Sequence, residues 1–195
     1  DFKVLSYNVR LFNLYEDRSA GSEKKVISLL RDQKPDIICL QEFYINGNPE
    51  IKEQAFRDAL GGNYRSHMKV ISTGRNRYYG IITLSRYPVA GRGEIVHPSS
   101  SSLTIYTDIV IDSDTFRIYN NHLQSFRLRK MERSFVEEMT DPSDNEAINT
   151  VRNLSVSLRK GFVRRAQQAD VLKEKIRISP YPVIVAGDFN DTPVS

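Results

Sequence analysis

The sequence predicts a layered α/β sandwich, and three observations lead to this fold class. The chain opens with a strand, helix, strand pattern, its middle consists of successive strand patterns, and a long helical pattern precedes a final apolar strand. Sheets flanked by helices pack into layers because each sheet must bury its apolar face against another element. With 195 residues, 39% of them hydrophobic, we expect one domain over 1–195 with a substantial core.

The opening elements are a strand, a helix and a second strand. Residues 2–7 form an apolar strand pattern, and 22–33 form a helical pattern with Ser22 as its N-cap. The apolar run 37–40 is then a buried strand that contains the only cysteine, Cys39. A single cysteine excludes an internal disulfide, and its position inside an apolar run favours a buried structural thiol over a nucleophile.

The middle of the chain is rich in strands, with patterns at 63–71, 79–85, 88–96, 103–111 and 115–122. The odd positions of the fourth pattern are mainly apolar, and a turn at 112–114 joins it to the fifth, so these two strands form a hairpin. Apolar residues then recur every three or four positions from 148 to 176, which predicts one long amphipathic helix. The apolar run 183–186 is the final strand.

The chain carries a mild positive charge, with 28 Lys and Arg against 24 Asp and Glu and a net charge of +4. This excess favours anionic, phosphate-bearing partners, but it is too small for a nucleic-acid tail or a polybasic membrane anchor. No stretch approaches the roughly 18 apolar residues of a membrane span. We therefore expect a soluble, monomeric domain with no protein partner implied. Because Asp1 precedes a strand directly, we also expect that the chain was trimmed from a longer protein.

Polar residues follow four of the apolar strands at the point where each strand ends. They are Asn8, Glu42, the Asn120-Asn121-His122 run, and Asp188 with Asn190. One such residue is weak evidence, because surface turns are rich in Asp and Asn, but four clusters in one chain favour a shared site at the strand ends. Carboxylate and amide oxygens suit Mg²⁺ or Mn²⁺, whereas a single Cys and few His give no ligand set for structural zinc.

Five motifs resemble, in the right order, those of the endonuclease/exonuclease/phosphatase superfamily, which has the fold of DNase I. They are LSYNVR at 5–10, PDIICLQE at 35–42, GIITLSRYPV at 80–89, NNHL at 120–123 and GDFN at 187–190. The resemblance implies a four-layer α/β/β/α sandwich in which two sheets pack face to face between helices. It also implies a Mg²⁺- or Mn²⁺-dependent hydrolase of phosphoester bonds, in particular a phosphodiesterase or nuclease.

The resemblance assigns a metal site to two of these residues. Glu42 is implied as the principal metal ligand, with Asn8 close to the metal and to the scissile phosphate. A carboxylate ligand leaves most positions on Mg²⁺ to water and phosphate oxygens, so the ion can neutralise charge on the phosphoryl group. Arg10 stands where some branches of the family carry an acidic ligand, so we expect one metal.

The remaining roles are also implied by the resemblance. Asp188 orients or deprotonates the attacking water, and His122 and Asn190 donate hydrogen bonds to phosphate oxygens. The residues expected to contact the substrate are Asn8, Asn120 and Arg10. The competing interpretation is structural: Glu42 is a solvated strand end, the asparagines cap turns, and His122 is a satisfied histidine in a hairpin.

One part of the family pattern is missing from this sequence. The family places a further Asp-His pair after strands that follow the GDFN turn, but the three histidines here are His67, His97 and His122. We therefore expect a fold that lacks its last strands, and weak metal binding and slow turnover in this chain without such a segment.

The substrate class stays open among nucleic acid, phospholipid and small phosphodiesters. Arg75, Arg77, Tyr78 and Tyr79 form a basic, aromatic stretch that can stack on a base or face a phosphate, but its composition favours a solvated loop with one packed tyrosine. The basic run at 127–130 is most simply a solvated helix face.

Two other function classes compete with the metal-dependent hydrolase. One is a non-catalytic domain that binds anionic lipid or nucleic acid, but such a module needs basic side chains more than an acidic metal site. The other is a hydrolase with a Ser or Cys nucleophile, for which the sequence offers no supporting motif. Some bacterial members of the family follow N-terminal membrane helices, so excision from a membrane-anchored protein is one expectation, and the compartment stays open.

Overall fold

The computed structural model describes residues 1–14, 21–97, 102–125 and 145–191, and this part of the chain forms eight strands and three α-helices. In chain order they are β1 (Val4–Asn8), α1 (Gly21–Gln33), β2 (Ile37–Asn46), α2 (Pro49–Ala59), β3 (Arg65–Gly74), β4 (Arg77–Ser85), β5 (Val89–Ile95), β6 (Leu103–Ile111), β7 (Asp114–His122), α3 (Asn145–Arg177) and β8 (Val183–Asp188). A short 3₁₀ turn at Arg10–Asn13 follows β1. The basic run at 127–130 lies outside the described residues.

The strands form two four-stranded sheets. The first sheet has the order β1-β2-β4-β3, and the second has the order β5-β6-β7-β8. Each sheet has one parallel pair, β1 with β2 and β7 with β8, and its other pairs are antiparallel. A hydrogen bond from Asn8 Nδ2 to Asp188 Oδ2 joins the ends of β1 and β8 across the two sheets.

The apolar clusters show how the layers stack. Phe43, Phe56 and Leu30 belong to a core between the first sheet and helices α1 and α2. A second set of apolar residues fills the space between the two sheets, namely Ile37, Cys39, Ile109, Ile111 and Ile118 in one cluster and Ile81, Leu103 and Ile105 in another. Tyr119 and Leu172 pack α3 on the outside of the second sheet. The order helix, sheet, sheet, helix confirms the predicted four-layer α/β/β/α sandwich.

Helix α2 is an element that the sequence analysis did not predict. It begins with Asn48 as N-cap, whose Oδ1 accepts hydrogen bonds from the backbone N–H groups of Glu50 and Ile51, and Pro49 occupies the first turn. Asn followed by Pro is a recognised helix start, because proline has no N–H to lose there. The helix buries Phe56 and exposes Ile51, so its apolar pattern alone is weak.

Cys39 lies in the middle of β2 and is completely buried between the sheets. Burial raises the pKa of its thiol to about 12, because the thiolate is poorly solvated there. Its expected place as a buried structural thiol is therefore confirmed.

Two histidines, the half-buried His67 and the buried His97, predict how stability depends on pH. Burial lowers the pKa of both His67 and His97, and Arg92 lowers that of His67 further. In the unfolded chain these rings return to a pKa near 6.5, so the unfolded state binds more protons and folding stability falls as the pH drops through that value. We expect a lower urea midpoint at pH 5 than at pH 7.5.

The His67→Gln variant separates this effect from the titration of carboxylates over the same range. His67 Nδ1 lies 3.0 Å from Thr107 Oγ1, and a glutamine amide can keep a hydrogen bond there without titrating. The difference between the two urea midpoints should therefore shrink in this variant. An unchanged difference would show that His67 contributes nothing to the pH dependence.

Candidate active site

Strand alternation places three polar side chains at one end of the crevice between the sheets. On β1, β7 and β8 the residues that face the other sheet include Val4, Ile118, and Ile184 with Ala186. Because side chains alternate with a period of two, Asn8, His122 and Asp188 continue these inward faces to the strand ends. His122 and Asp188 are direct partners in the parallel register of β7 and β8, so they lie side by side.

Glu42 reaches the same crevice through a β-bulge. In β2, Leu40 pairs with Ile82 and Phe43 with Gly80, so two residues of β2 oppose one residue of β4. Glu42 adopts a left-handed backbone with φ of 53°, and the extra residue reverses the alternation, because both Leu40 and Phe43 face the helices. Glu42 is thereby directed toward the crevice, although unbroken alternation from Leu40 would have directed it toward the helices.

The turn after β8 is shaped by Gly187 and Asn190. Gly187 has φ of 137°, and a Cβ atom there would lie 2.1 Å from the carbonyl oxygen of Asn121 on β7, so only glycine fits. Asn190 has φ of 51°, and its N–H donates to Asp188 Oδ1 at 2.8 Å. Its side-chain Nδ2 donates to the carbonyl of Leu123 at 2.9 Å. These bonds fix the Asp188 carboxylate and tie the end of β8 to the end of β7.

The side chains of Asn8, Glu42, His122 and Asp188 form a compact cluster. Asn8 Nδ2 donates to Glu42 Oε1 at 3.1 Å and to Asp188 Oδ2 at 2.6 Å. His122 Nε2 lies 3.6 Å from Glu42 Oε1 and 4.0 Å from Asp188 Oδ2. The four residues come from four strands and from both sheets, so the cluster exists only when the two sheets are packed together.

The donor set of this cluster fits a divalent cation. One ligand atom each from Glu42, His122 and Asp188 lies within 4.8 Å of the other two. Among the described residues, His122 Nε2 is buried and has no hydrogen-bond partner, although it lies beside the two carboxylates. Two carboxylates held this close repel each other unless a cation or a proton lies between them. Glu42 and Asp188 are the residues that would hold Mg²⁺ or Mn²⁺.

Asn8 takes a different position from the one expected for a metal ligand. Its Nδ2 faces the carboxylates, while its Oδ1 accepts a hydrogen bond from the backbone N–H of Arg10 at 2.8 Å. In this orientation the amide NH₂ orients the carboxylates of Glu42 and Asp188, and the expected metal contact of Asn8 stays a prediction. The side chain of Arg10 is exposed in the turn that follows, and its expected contact with substrate stays a prediction.

Asn120 does not lie where a substrate contact was expected. It is completely buried between the sheets, where its Nδ2 lies 3.0 Å from the carbonyl of Ile82 and 3.3 Å from that of Leu40, and its Oδ1 accepts from Gln41 Nε2 at 2.8 Å. Leu40 and Ile82 are paired next to the bulge, where the strand ladder is interrupted. Asn120 therefore supports the backbone that carries Glu42, and its expected contact with substrate stays a prediction.

Replacing Asn120 with alanine is expected to lower the free energy of unfolding by about 1–3 kcal/mol. The substitution removes the donor to the carbonyls of Leu40 and Ile82. It also removes the acceptor at 2.8 Å from Gln41 Nε2, which keeps its longer contacts with Ser6 and Cys39. Urea denaturation measures the loss, and Asn46→Ala at the exposed end of β2 is the control. Equal stability of the two variants would contradict the structural role.

Helix α3 holds the segments that follow β7 and β8, a function that sequence reasoning missed. Arg165 is buried, its Nε donates to Asp191 at 3.2 Å, and its Nη1 lies 3.4 Å from the carbonyl of Gln124. Gln168 Oε1 accepts from the N–H of Gln124 at 3.0 Å, and its Nε2 donates to Ser102. Arg165 and Gln168 lie on the buried side of α3 with Gly161 and Leu172. Three members of the predicted apolar stripe are exposed instead, namely Phe162, Ala166 and Ala169, so the apolar pattern gave no signal for the two buried polar residues.

A cavity of about 500 Å³ opens beside the cluster. Its lining includes Glu42 and His122 together with the basic and aromatic residues Tyr44, Arg77 and Tyr79. The stretch from Arg75 to Tyr79 is therefore not only a solvated loop. It spans a tight hairpin turn and the start of β4, and two of its residues line the cavity.

The fold and the cluster together define a class of protein: a four-layer α/β sandwich with an acidic, histidine-containing site between the ends of its two sheets. Residues 5–195 match the Endonuclease/Exonuclease/phosphatase family, so the chain belongs to this family, as the five motifs predicted. A search of curated proteins found no match.

Solved structures share this fold at low sequence identity. A structure of TDP2 from D. rerio complexed with a single-strand DNA product has a TM-score of 0.64 and 17% identity, covering 99% of this chain and 62% of that one. Sphingomyelinase C from Streptomyces griseocarneus has a TM-score of 0.63 and 18% identity, covering 100% of this chain and 66% of that one. The chain thus spans slightly less than two thirds of either structure. Within the described residues, no helix has a stretch long and apolar enough to cross a membrane.

Proposed function

We propose that this chain is a divalent-metal-dependent phosphodiesterase that uses Mg²⁺ or Mn²⁺ and hydrolyses its substrate by attack of water on phosphorus. The observation that carries this proposal is the convergence of Glu42, His122 and Asp188, whose ligand atoms lie within 4.8 Å of one another, with Glu42 and His122 also lining a cavity. We further propose that residues 1–195 form one domain, which the family match over 5–195 supports.

Each residue of the cluster has a distinct task in the proposed reaction. Glu42 and Asp188 hold the metal, which when bound neutralises charge on the phosphoryl oxygens. Asp188 orients the attacking water and accepts its proton. His122 Nε2, which is within reach of both carboxylates and without a hydrogen-bond partner in the described part of the chain, donates to a phosphate oxygen.

The two asparagines complete the arrangement. Asn8 orients the carboxylates of Glu42 and Asp188 through its amide hydrogens. Asn190 Nδ2 uses one hydrogen for the carbonyl of Leu123, and its second hydrogen is the one we assign to a phosphate oxygen. Preorganised donors of this kind typically contribute about 10²- to 10³-fold to the rate.

The structural neighbours agree with a phosphoester substrate. One is TDP2 complexed with a single-strand DNA product, and another is a sphingomyelinase C. The alternative of a non-catalytic module that binds anionic lipid or nucleic acid has less support, because such a module has no use for two carboxylates held against a histidine.

Hydrolysis of bis(p-nitrophenyl) phosphate by the full natural chain that contains this sequence tests the proposal. We expect release of p-nitrophenol with Mg²⁺ or Mn²⁺, loss of the activity in EDTA, and recovery when the metal is restored. The monoester p-nitrophenyl phosphate, assayed in parallel, tells a diesterase from a monoesterase. A rate that does not change on chelation would reject the metal-dependent reaction.

A further inference from the structure

The cavity beside the cluster has a wall built from the inner face of the first sheet. Tyr44 lies on the same side of β2 as Glu42, two residues further along the strand, and it pairs with Tyr79 on β4. Arg77 lies two residues before Tyr79, and Thr73 on β3 also lines the cavity. The wall therefore places two aromatic rings and a guanidinium in the same cavity as Glu42 and His122.

A tight hairpin holds this wall in place. The loop between β3 and β4 consists of Arg75 and Asn76, which both have positive φ, as a two-residue hairpin loop of type I′ requires. The N–H of Gly47 donates to the carbonyl of Asn76 at 2.7 Å, which ties the loop to the end of β2. Thr73 Oγ1 donates to the carbonyl of Arg77 at 3.0 Å. The two tyrosine rings and the guanidinium are thus carried by strands whose connecting loop is fixed by hydrogen bonds.

The chemistry of the wall selects among phosphoesters. Tyrosine rings stack on nucleobases, whose faces are open in single strands, but they also attract quaternary ammonium groups, so the discrimination comes from the charge of Arg77. Arg77 has no ion-pair partner among the described residues, and its positive charge attracts a further phosphate but repels the quaternary ammonium of a choline headgroup. Among the described residues, Glu42 is the only acidic one that lines the cavity, and the proposed metal would neutralise it.

We propose that this cavity binds a nucleotide of single-stranded nucleic acid next to the scissile phosphate, with the base on Tyr79 and Tyr44 and the adjoining phosphate on Arg77. The inference rests on the proposed function, since it places the scissile phosphate at Glu42 and His122. A volume of about 500 Å³ suits one nucleotide, because pockets for small ligands usually span about 300–1,000 Å³. A double-stranded end would have to unpair before its base could enter.

Binding of a fluorescein-labelled oligo-dT of eight nucleotides, followed by anisotropy, tests the inference. The measurement uses the full natural chain with Glu42→Gln and contains no divalent metal, so its outcome does not depend on hydrolysis. We expect Tyr79→Leu to weaken binding by about 10-fold and Tyr79→Phe, which keeps the ring, to weaken it by less than about threefold. Thermal melting checks that each variant is folded.

Arg77→Gln and Arg75→Gln form a matched pair of charge deletions. Arg77 lines the cavity, whereas Arg75 lies in the hairpin loop outside the lining. We expect Arg77→Gln to weaken oligo-dT binding by about 5- to 10-fold and to reduce the slope of log K against log salt by about 0.7, as loss of one contact to a single-strand phosphate predicts. Arg75→Gln should change both quantities much less.

Co-sedimentation of the same variants with sphingomyelin vesicles tests the alternative that the cavity binds a lipid substrate. Binding to vesicles rather than to oligo-dT, weakened by Tyr79→Leu, would overturn the assignment in favour of a lipid substrate. Equal oligo-dT binding by Tyr79→Leu and Tyr79→Phe, or equal effects of the two arginine variants, would also overturn it. Hydrolysis of the small diester without oligo-dT binding rejects this inference alone, and oligo-dT binding without any hydrolysis rejects the proposed function alone.

Discussion

Replacing Glu42 with glutamine is expected to reduce phosphodiester hydrolysis by about 10³-fold, because Lewis-acid stabilisation of the phosphoryl charge by a bound metal is worth several kcal/mol. The side chain keeps its size, and its carbonyl oxygen can still accept the hydrogen bond from Asn8 Nδ2. What disappears is one of the two negative charges that attract the cation to the cluster. The measurement is the initial rate with bis(p-nitrophenyl) phosphate and Mn²⁺ in the full natural chain.

Glu94→Gln makes the same chemical change at a site away from the cluster. Glu94 lies on β5, where it pairs with Lys69 at the surface at 2.6 Å with about half of each side chain covered. An exposed ion pair of this kind contributes little to stability, so the control should hydrolyse the diester at the rate of the unmodified chain. If both variants lose activity equally, or neither does, Glu42 has no special part in the reaction.

Replacing Asp188 with asparagine has the second largest expected effect, a loss of roughly 10²- to 10⁴-fold in rate, which is the usual contribution of a general base. An amide cannot take the proton of the attacking water, and it supplies less charge to a cation. Asn190 N–H can still donate to the remaining side-chain oxygen, so the turn after β8 should persist. The rate of diester hydrolysis measures the loss, and melting confirms the fold.

Asp112→Asn is the matched control for this substitution. Asp112 lies in the exposed turn between β6 and β7 with φ of 55°, a conformation that asparagine tolerates well. We expect its activity and stability to equal those of the unmodified chain. Full activity of Asp188→Asn would show that another group accepts the proton of the attacking water, and would contradict the role of Asp188 as general base.

Strand order along the chain and strand ends were predictable from the sequence because both depend on short-range patterns. The apolar run 183–186 and the GDFN motif predicted a strand with polar side chains at its end. β8 indeed ends at Asp188, and the N–H of Asn190 closes the turn by donating to the Asp188 carboxylate. The motifs predicted the family and its four layers, and both are confirmed. The roles of the site residues stay predictions until the variants are measured.

The β-bulge at Glu42 could not be predicted from the pattern of residues alone. Apart from Gln41 and Glu42, the run from Ile37 to Ile45 is apolar on both faces, since β2 lies between a sheet and two helices. Alternation therefore gives no sign of where its phase reverses. A bulge is set by pairing with another strand, here with β4 around Gly80. Only the three-dimensional structure shows that Glu42 and Tyr44 face the crevice.

The burial of Asn120 is a second feature that the sequence pattern could not predict. Alternation correctly puts Asn120 and His122 on one face of β7, and the sequence offers no measure of how deep each lies between the sheets. Asn120 lies two residues before His122 and deeper between the sheets, where the first sheet still covers β7. There the backbone carbonyls of Leu40 and Ile82, next to the bulge in the first sheet, accept hydrogen bonds from the Asn120 amide. Burial depth depends on sheet packing, which no local pattern encodes.

The central claim is that Glu42 and Asp188, beside His122, form a single divalent-metal site, and calorimetric titration of the full natural chain with Mn²⁺ tests it most directly. The structure predicts one binding event per chain, lost or strongly weakened in Glu42→Gln and in Asp188→Asn and unchanged in Glu94→Gln. Binding that is absent in the unmodified chain, or equally strong in all four proteins, would contradict the claim.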